Sequence, residues 1–357
     1  MTAPLRIAVL GNNFAARAQL PALRWAGGNE VVALAGRDPD KARRTASEWG
    51  IPVGTGDWRE ALEHAPDLVL VATPVHLHRE MARAALEAGA AVLCEKPFAL
   101  DAKEAQELAV LGQDRPAFLD HQLRFGPEFR RAQEVLRSGT LGELWHARFE
   151  IRLPPLNFLA RPYGWWFDAA RGGGILGALG SHMLDLLRWL LGEIDSVGAE
   201  LETFVPERPD PETEIPQLVT ADELASLRLR FAGGATGELR TSCTLPGPYV
   251  FELEVAGSDG ALRIVGGDAL SVSQAGEAFE PEELAQPLPP AAFFEMEDHG
   301  VFGRCLPLYL RALIDALRAG ESSLPEAATF ADGLAIQRVL DAARSSAAND
   351  GGHVACR

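Results

Sequence analysis

The run Val92-Leu93-Cys94-Glu95-Lys96-Pro97 ends an apolar stretch in a charged Glu-Lys step. In open α/β sheets, ligands bind just beyond the carboxyl ends of the strands. A lysine held there, with a proline stiffening the chain behind it, is placed for chemistry. A surface lysine after an ordinary strand-to-helix turn is the alternative. A second candidate lies in Gly172-Gly173-Gly174-Ile175-Leu176-Gly177-Ala178-Leu179-Gly180-Ser181-His182-Met183-Leu184-Asp185. Leu176, Leu179, Met183, Leu187 and Leu190 recur at helical spacing. Gly173, Gly177 and Gly180 fall on another face, and each costs roughly 1 kcal/mol relative to alanine in a helix. Close approach of a ligand or of a second backbone would offset that cost. His182 lies near this bare face, and Asp185 sits one turn on. A core histidine on a tightly packed helix is the alternative.

A third set has the chemistry of a dinucleotide site. Such a fingerprint needs glycine for the turn, for approach to the pyrophosphate, and for helix–strand packing. The stretch Gly11-Asn12-Asn13-Phe14-Ala15-Ala16 follows the first apolar run and precedes a helical one. Gly11 meets the first requirement and Ala16 is small enough for the third, while Asn13 stands where the second glycine would. Phosphates would sit on the helix N-terminus. The end of the second strand discriminates cofactors. An NAD site usually places Asp or Glu there, on the ribose 2′-hydroxyl. This chain has Gly36-Arg37, with Lys41, Arg43 and Arg44 close behind. A guanidinium can pair bidentately with a 2′-phosphate, which favours NADP; Asp38 follows, so NAD stays open. Farther on, Thr73 could hydrogen-bond a cofactor, and Pro74 breaks the strand. His76 and His78 are too close to Pro74 for a convincing metal pair, so structural or cofactor-edge roles are expected and no metal site is.

These groups need elements to hold them. Leu5–Leu10, Val31–Ala35, Leu68–Ala72 and the run before Glu95 read as apolar strands. They alternate with helical stretches at Ala15–Trp25, Asp40–Trp49 and Leu77–Ala88, the pattern of parallel βαβ units. After Leu119 the pattern changes. A helix over Pro127–Arg137 leads to a strand over Leu144–Arg152, with Trp145, Ala147, Phe149 and Ile151 on one face. Alternating runs follow at Ser226–Phe231, Thr236–Cys243, Phe251–Val255 and Ala261–Val265, which predicts an antiparallel sheet with one open face. Pro206–Pro216 reads as a loop, and helices close the chain over Leu308–Arg318 and Ala331–Arg344. The expected fold is α/β plus α+β: a doubly wound parallel sheet over residues 1–120, and an open-sheet domain over 121–357.

Composition bounds the function. With 47% apolar and 23% charged residues in 357, the chain can bury sizeable cores and is not expected to be disordered over long stretches. A formal net charge of -17 argues against nucleic acid and anionic membrane surfaces, both of which need clustered Lys and Arg. No apolar run is long enough to span a bilayer. Cys94, Cys243, Cys305 and Cys356 are scattered, which fits reduced thiols. A cytoplasmic protein is the expectation.

Several segments together resemble the glucose–fructose oxidoreductase / inositol dehydrogenase / rhizopine-catabolism (Gfo/Idh/MocA) family, over nearly the whole chain. They are Thr73-Pro74 through His78, Ala88-Gly89, Cys94-Glu95-Lys96-Pro97, Arg124-Phe125-Gly126-Pro127, Ser138-Gly139-Thr140-Leu141-Gly142, Gly172 to His182 with Asp185, and Asp341 to Ala347. The resemblance implies a Rossmann domain plus an open-sheet domain, a tightly held NAD(P), and redox chemistry on a sugar, polyol or related hydroxyl compound. It further implies dimers or tetramers formed through the open sheet face. In the family pattern the Lys of Glu-Lys-Pro and the helix His act near the reacting carbinol, with an Asp four residues before that His. Lys96 and His182 match; Ala178 stands at the Asp position. His182 would then act alone, borrow Asp185 or Asp168, or serve only in binding. His182 would exchange the hydroxyl proton, and Lys96 would stabilise the developing alkoxide or itself donate the proton. Arg124 and the aromatic loop containing Trp166 would line the substrate side. Redox-neutral chemistry with bound NAD(P), a non-catalytic NAD(P) sensor, and a structural partner in an oligomer stay open as alternatives.

Overall fold

The computed structural model describes residues 3–284 and 300–357, which form two compact units. The first comprises residues 3–99, 103–126 and 300–334. Its strands are β1 (Leu5–Leu10), β2 (Asn29–Ala35), β3 (Val53–Thr55), β4 (Leu68–Val71), β5 (Ala91–Cys94) and β6 (Ala117–Leu119). They form one parallel sheet in the order β3-β2-β1-β4-β5-β6. The order reverses between β1 and β4, the switch point where such sheets bind ligands.

The sheet is parallel because its strands are apolar on both faces and need cover on both. Successive side chains alternate. Ile7, Val9, Leu68, Leu70, Ala91 and Leu93 enter one core, while Ala8, Leu10, Val69, Val71, Val92 and Cys94 enter the other. Each fully buried aliphatic of Val, Leu or Ile size contributes about 1.5–3 kcal/mol relative to exposure. The helix Gly300–Arg318 covers the first core with Leu306, Tyr309, Leu310, Leu313 and Ile314. Its Tyr309 hydroxyl donates to the Leu119 carbonyl at 3.0 Å, and its ring stacks on Phe125 at 4.4 Å. This helix, expected within the second domain, therefore belongs to the first unit. Sequence proximity misled here because the chain returns to its first core.

The second unit comprises residues 100–102, 127–284 and 335–357. Its strands are β7 (Leu144–Arg152), β8 (Ile194–Glu202), β9 (Glu207–Pro209), β10 (Pro216–Leu218), β11 (Leu224–Phe231), β12 (Thr236–Ser242), β13 (Val250–Gly257), β14 (Gly260–Val265), β15 (Ala269–Gln274), β16 (Glu280–Pro281) and β17 (Val354–Ala355). All but β9 and β10 form a nine-stranded sheet in the order β16-β15-β14-β13-β7-β12-β11-β8-β17. Its pairs are antiparallel except β7–β12, which is parallel. A parallel pair needs a long crossover, and residues 153–235 supply it.

One face is apolar: Leu227, Leu229, Leu239, Phe251, Leu253 and Val255 are buried, while Arg228, Arg230, Glu238 and Arg240 are exposed. Trp145 departs from the expected face and is 56% exposed. A register shift between Ala256 and Gly257 pairs Gly257 with Leu144, so the β13 pairing skips Trp145. The Pro-rich stretch expected as a loop carries the β9–β10 hairpin. Pro209 and Pro216 face each other at its end, where a missing N–H costs little.

Candidate active site

Gly11 ends β1 with φ at 120°. A Cβ there would overlap the Ala72 carbonyl oxygen, so only glycine lets this turn lie against the end of β4. Gly36 plays the matching part at the end of β2, where a Cβ would press on Asn12. Asn12 is 8% exposed, and neither atom of its amide has a hydrogen-bond partner among the described residues. Buried polar atoms of this kind are normally satisfied, so an amide left open at a Gly-turn fits a polar ligand. Asn12, Asn13, Arg37, Asp38 and Lys41 line a cavity of about 290 Å³. Asn13 replaces a fingerprint glycine, and its amide oxygen accepts from Lys41 Nζ at 2.5 Å. The Asp38 carboxylate caps the helix Pro39–Trp49 by accepting from the Asp40 and Lys41 amides. Those backbone bonds hold its pKa below the usual aspartate value. Phe14 packs partly buried on the core, and a π turn at Ala15–Gln19 follows it, where a single α-helix from Ala15 is predicted. These residues fit a dinucleotide cofactor.

The Glu95-Lys96-Pro97 step follows β5 directly, and the Lys96–Pro97 bond is cis. His78, 1% exposed at the start of the helix His78–Glu87, fixes this segment. Its Nδ1 faces the carbonyls of Pro97 at 3.1 Å and Phe98 at 3.3 Å, and its Nε2 faces that of Thr73 at 2.8 Å. Burial lowers its pKa to about 4, overcoming the three carbonyls that favour the charged ring. With its nitrogens facing these backbone carbonyls, His78 ties the ends of β4 and β5 together. The Thr73 hydroxyl lies 3.5 Å from the Met81 sulfur. Pro74 precedes a 3₁₀ turn over Val75–Leu77 that contains His76.

Glu95 and Asp120 form a buried pair beside Lys96, 7% and 0% exposed. Nε2 of Gln19, on the π turn, donates to Glu95 Oε1 at 3.0 Å. Burial pushes the Glu95 carboxyl up, against the pull of the Lys96 charge. Burial first, and then the Glu95 charge, pushes Asp120 well above the ordinary range. Sequence reasoning missed Gln19 and Asp120 because each lies far along the chain from Lys96.

In the second unit, His182 is 2% exposed in the first turn of the helix Ser181–Leu191, and Asp185 is buried one turn later. The residues before them, Leu176–Gly180, form a π turn that packs on β11 and β12. The four-residue spacing from Ala178 to His182 therefore does not follow a uniform α-helical repeat. Such π turns are frequent at functional sites. The Ser181 hydroxyl donates back to the Gly177 carbonyl at 2.6 Å. Asp222 accepts from the Leu176 amide at 2.7 Å and from Ile175 through its own carbonyl at 2.9 Å. Gly174, with φ at 107°, has no room for a side chain against Asp222. Burial pushes the Asp222 carboxyl up, with the Leu176 amide opposing. Asp222 thus seats the segment that carries His182; no motif marked it.

Gly173 has no room for a Cβ against the Trp166 carbonyl, which binds the glycine-rich segment to the aromatic turn Trp165–Phe167. The indole N–H of Trp166 is buried without a partner among the described residues. Asp168 caps the next turn through the Ala170 amide at 3.0 Å. Arg124, in the first unit, is 4% exposed and lies 3.5 Å from Asp332.

Residues 5–119 match an oxidoreductase family with an NAD-binding Rossmann fold, and residues 129–263 match the GFO/IDH/MocA C-terminal domain. The chain is 32% identical over 364 residues to glucose-fructose oxidoreductase domain-containing protein 2 of Xenopus laevis, covering 97% of this chain and 92% of that one. It is 28% identical over 284 residues to levoglucosan dehydrogenase of Pseudarthrobacter phenanthrenivorans, covering 72% and 73%. The structure of a levoglucosan dehydrogenase in complex with NADH and levoglucosan superposes with a TM-score of 0.86 at 26% identity, covering 99% of each chain. Fold and site define an oxidoreductase with an NAD-binding Rossmann domain. The chain belongs to the GFO/IDH/MocA family.

Proposed function

We propose that this oxidoreductase is a dehydrogenase for a secondary carbinol of a sugar, polyol or related small molecule. The observation that carries the reading is the Gly11–Asn12 turn, whose open buried amide sits at the sheet's switch point. The levoglucosan dehydrogenase complex, holding NADH and a sugar on a similar fold, supports the substrate class. When bound, the nicotinamide supplies the hydride acceptor or donor. Gly11, Asn12 and Asn13 would cradle the phosphates, and Phe14, Thr73, Pro74 and His76 would border the cofactor. Arg37 and Lys41 would take a ribose 2′-phosphate, which favours NADP over NAD.

For the chemistry, Lys96 stabilises the charge developing on the carbinol oxygen, and His182 exchanges the hydroxyl proton. Arg124, Trp166, Asp168 and Asp185 are assigned to the substrate side, with Asp185 or Asp168 as the carboxylate that would support His182. The exposed polar face of the nine-stranded sheet is the surface we assign to a second copy of the chain.

Stopped-flow hydride transfer in Lys96→Ala and His182→Ala, with cofactor binding measured separately, tests these roles. A general acid–base group contributes a factor of roughly 10²–10⁴. Losses of that order with binding retained are expected. Near-native single-turnover rates in both variants would overturn the assignment.

A further inference from the structure

We propose that the Asn12 side chain determines specificity at the ribose end of the cofactor site: its amide meets the adenosine ribose at the 2′ position and, by presenting its oxygen or its nitrogen, admits both NAD and NADP. This role rests on the dinucleotide reading proposed above. β1 and β2 run side by side with Leu10 opposite Ala35, and the Gly11 amide donates to the Ala35 carbonyl at 2.8 Å. Asn12 and Gly36 therefore leave the sheet next to each other. A Cβ on Gly36 would lie 2.9 Å from the Asn12 Cβ and 3.7 Å from its Cγ, so the Asn12 side chain stands over the end of β2. An NAD site usually has an acidic residue from the second strand on the ribose. Here β2 offers a glycine, and an amide reaches across from β1.

The Asn12 amide is also uncommitted. The residue is 8% exposed, and neither Oδ1 nor Nδ2 has a hydrogen-bond partner among the described residues. Buried side-chain amides are normally hydrogen-bonded, so this one suits a group that the chain itself does not supply. Its neighbours already have partners. Asn13 Oδ1 accepts from Lys41 Nζ at 2.5 Å, and the Asn13 carbonyl accepts from Arg17 Nε at 3.4 Å. Asp38 Oδ1 accepts from the Asp40 and Lys41 amides, each at 3.0 Å. Asn12 lines the same cavity of about 290 Å³ as Arg37, Asp38 and Lys41, so a group entering there meets the amide and the cations together.

An ionised carboxylate offers only acceptors, a guanidinium or ammonium only donors, and an amide both. The 2′ group of NAD is a hydroxyl, which can donate to Asn12 Oδ1. That of NADP is a phosphate, whose oxygens can accept from Asn12 Nδ2. A rotation of the amide about its own bond exchanges the two presentations and leaves the backbone unchanged. A carboxylate in this place would repel the phosphate, and Arg37 and Lys41 offer no acceptor for the hydroxyl proton. The two cations then set which nucleotide is preferred, and Asn12 keeps both admissible. The backbone of Gly11, Asn12 and Asn13 stays with the shared phosphates.

Calorimetric titration of the full chain with NADH and with NADPH tests this without turnover. Asn12→Asp keeps the shape, removes the donor and adds a negative charge. It should weaken NADPH at least about tenfold and leave NADH within about threefold of the wild type. Asn12→Leu removes donor and acceptor together and should weaken both nucleotides by roughly three- to tenfold. Without cofactor, Asn12→Leu should resist urea at least as well as the wild type, because an apolar group of similar shape replaces an unpaired buried amide. That readout separates an amide kept for a ligand from one that holds the core together. Equal weakening of both nucleotides in Asn12→Asp would put the amide on the part they share and overturn the proposal. Wild-type affinities in Asn12→Leu, or a loss of stability in its cofactor-free form, would overturn it too. A wild-type chain that binds neither nucleotide would refute the dinucleotide reading itself, whereas normal wild-type binding with indifferent variants refutes only the role of Asn12.

Discussion

Arg208 and Glu223 form an ion pair at 2.6 Å with both side chains 1% exposed. The guanidinium also donates to the carbonyls of Phe158 at 2.6 Å and Arg161 at 3.0 Å, and lies 3.9 Å over the Phe167 ring. The other Glu223 oxygen accepts from the Phe204 and Val205 amides. One buried pair thus holds both ends of the segment carrying Trp165 and Trp166 against the strand Leu224–Phe231 that follows Glu223. Removing one partner of such a pair strands the other charge, at a cost of about 3–5 kcal/mol. Glu223→Gln and Arg208→Met should each lose stability of that order in urea unfolding. The double variant Arg208→Met/Glu223→Gln should lose less than the sum. A strictly additive double variant would mean that the pair does not act as a unit.

Gly11 makes a backbone prediction. Its φ of 120° and the Ala72 carbonyl leave no place for a methyl group. Strain of this kind costs of order 1–3 kcal/mol. Gly11→Ala should therefore unfold at lower urea concentration and bind NADH at least about tenfold more weakly, since 1.4 kcal/mol is a factor of ten in binding. Fluorescence titration measures the binding. Gly27→Ala is the control: its φ is also positive, at 69°, but a Cβ there meets nothing within 4 Å. It should be strained without losing cofactor affinity. Equal affinity losses in both variants would remove Gly11 from the cofactor site.

The elements that bury an apolar face could be read from the sequence, and the groups that position the chemistry could not. Strands β1, β4 and β5 announce themselves by unbroken apolar runs, and the helix Pro127–Arg137 by its period. The short strand Val53–Thr55 carries a central glycine and no pattern, so neighbours rather than propensity define it. Arg208 lies in a Pro- and Glu-rich stretch whose composition indicates a solvated loop, yet it is among the most buried side chains in the unit. Its burial depends on Glu223, 15 residues away. The two π turns escape because a widened turn keeps the apolar spacing of the helix that follows. Lys96 and His182 stood out because the residues around them are unusual, a strand-end proline and a run of glycines. Asp120 and Asp222 follow ordinary sequence and act only through contacts that the fold brings together.

Arg37 and Lys41 bear on cofactor choice. Both line the cavity beside Asn12 and Asn13, and Asp38 lines it too. Oδ1 of Asp38 accepts from two backbone amides, and on the proposed reading Arg37 and Lys41 would meet a 2′-phosphate. A hydrogen bond to a charged group contributes about 1.5–3 kcal/mol. Arg37→Ala should weaken NADPH binding by roughly ten- to a hundredfold on that basis, with a much smaller effect on NADH. Calorimetric titration with each dinucleotide measures the split. An equal effect on both would assign Arg37 to the shared part of the cofactor and withdraw the preference for NADP.

His78 supplies a pH dependence whose sign is fixed. Burial lowers its pKa from 6.5 to about 4, so the fold holds the neutral ring. Above 6.5 neither folded nor unfolded chain is protonated at this group, and its contribution is complete. As pH falls below 6.5 the unfolded chain takes up a proton that the folded chain refuses until about 4, and stability is lost across that window. At about 1.4 kcal/mol per pH unit the loss approaches roughly 3 kcal/mol. His78→Gln keeps a donor for one carbonyl and cannot titrate. At neutral pH it should cost about 1 kcal/mol, the value of a typical hydrogen bond. On acidification the wild type should lose its advantage and fall below the variant, because only the wild type pays the penalty for a neutral imidazole. Urea unfolding of both proteins at several pH values between 7 and 4 measures the crossing. Parallel curves would mean that the three carbonyls keep the ring charged in the fold, and His78 would then be a buried cation rather than a neutral clamp.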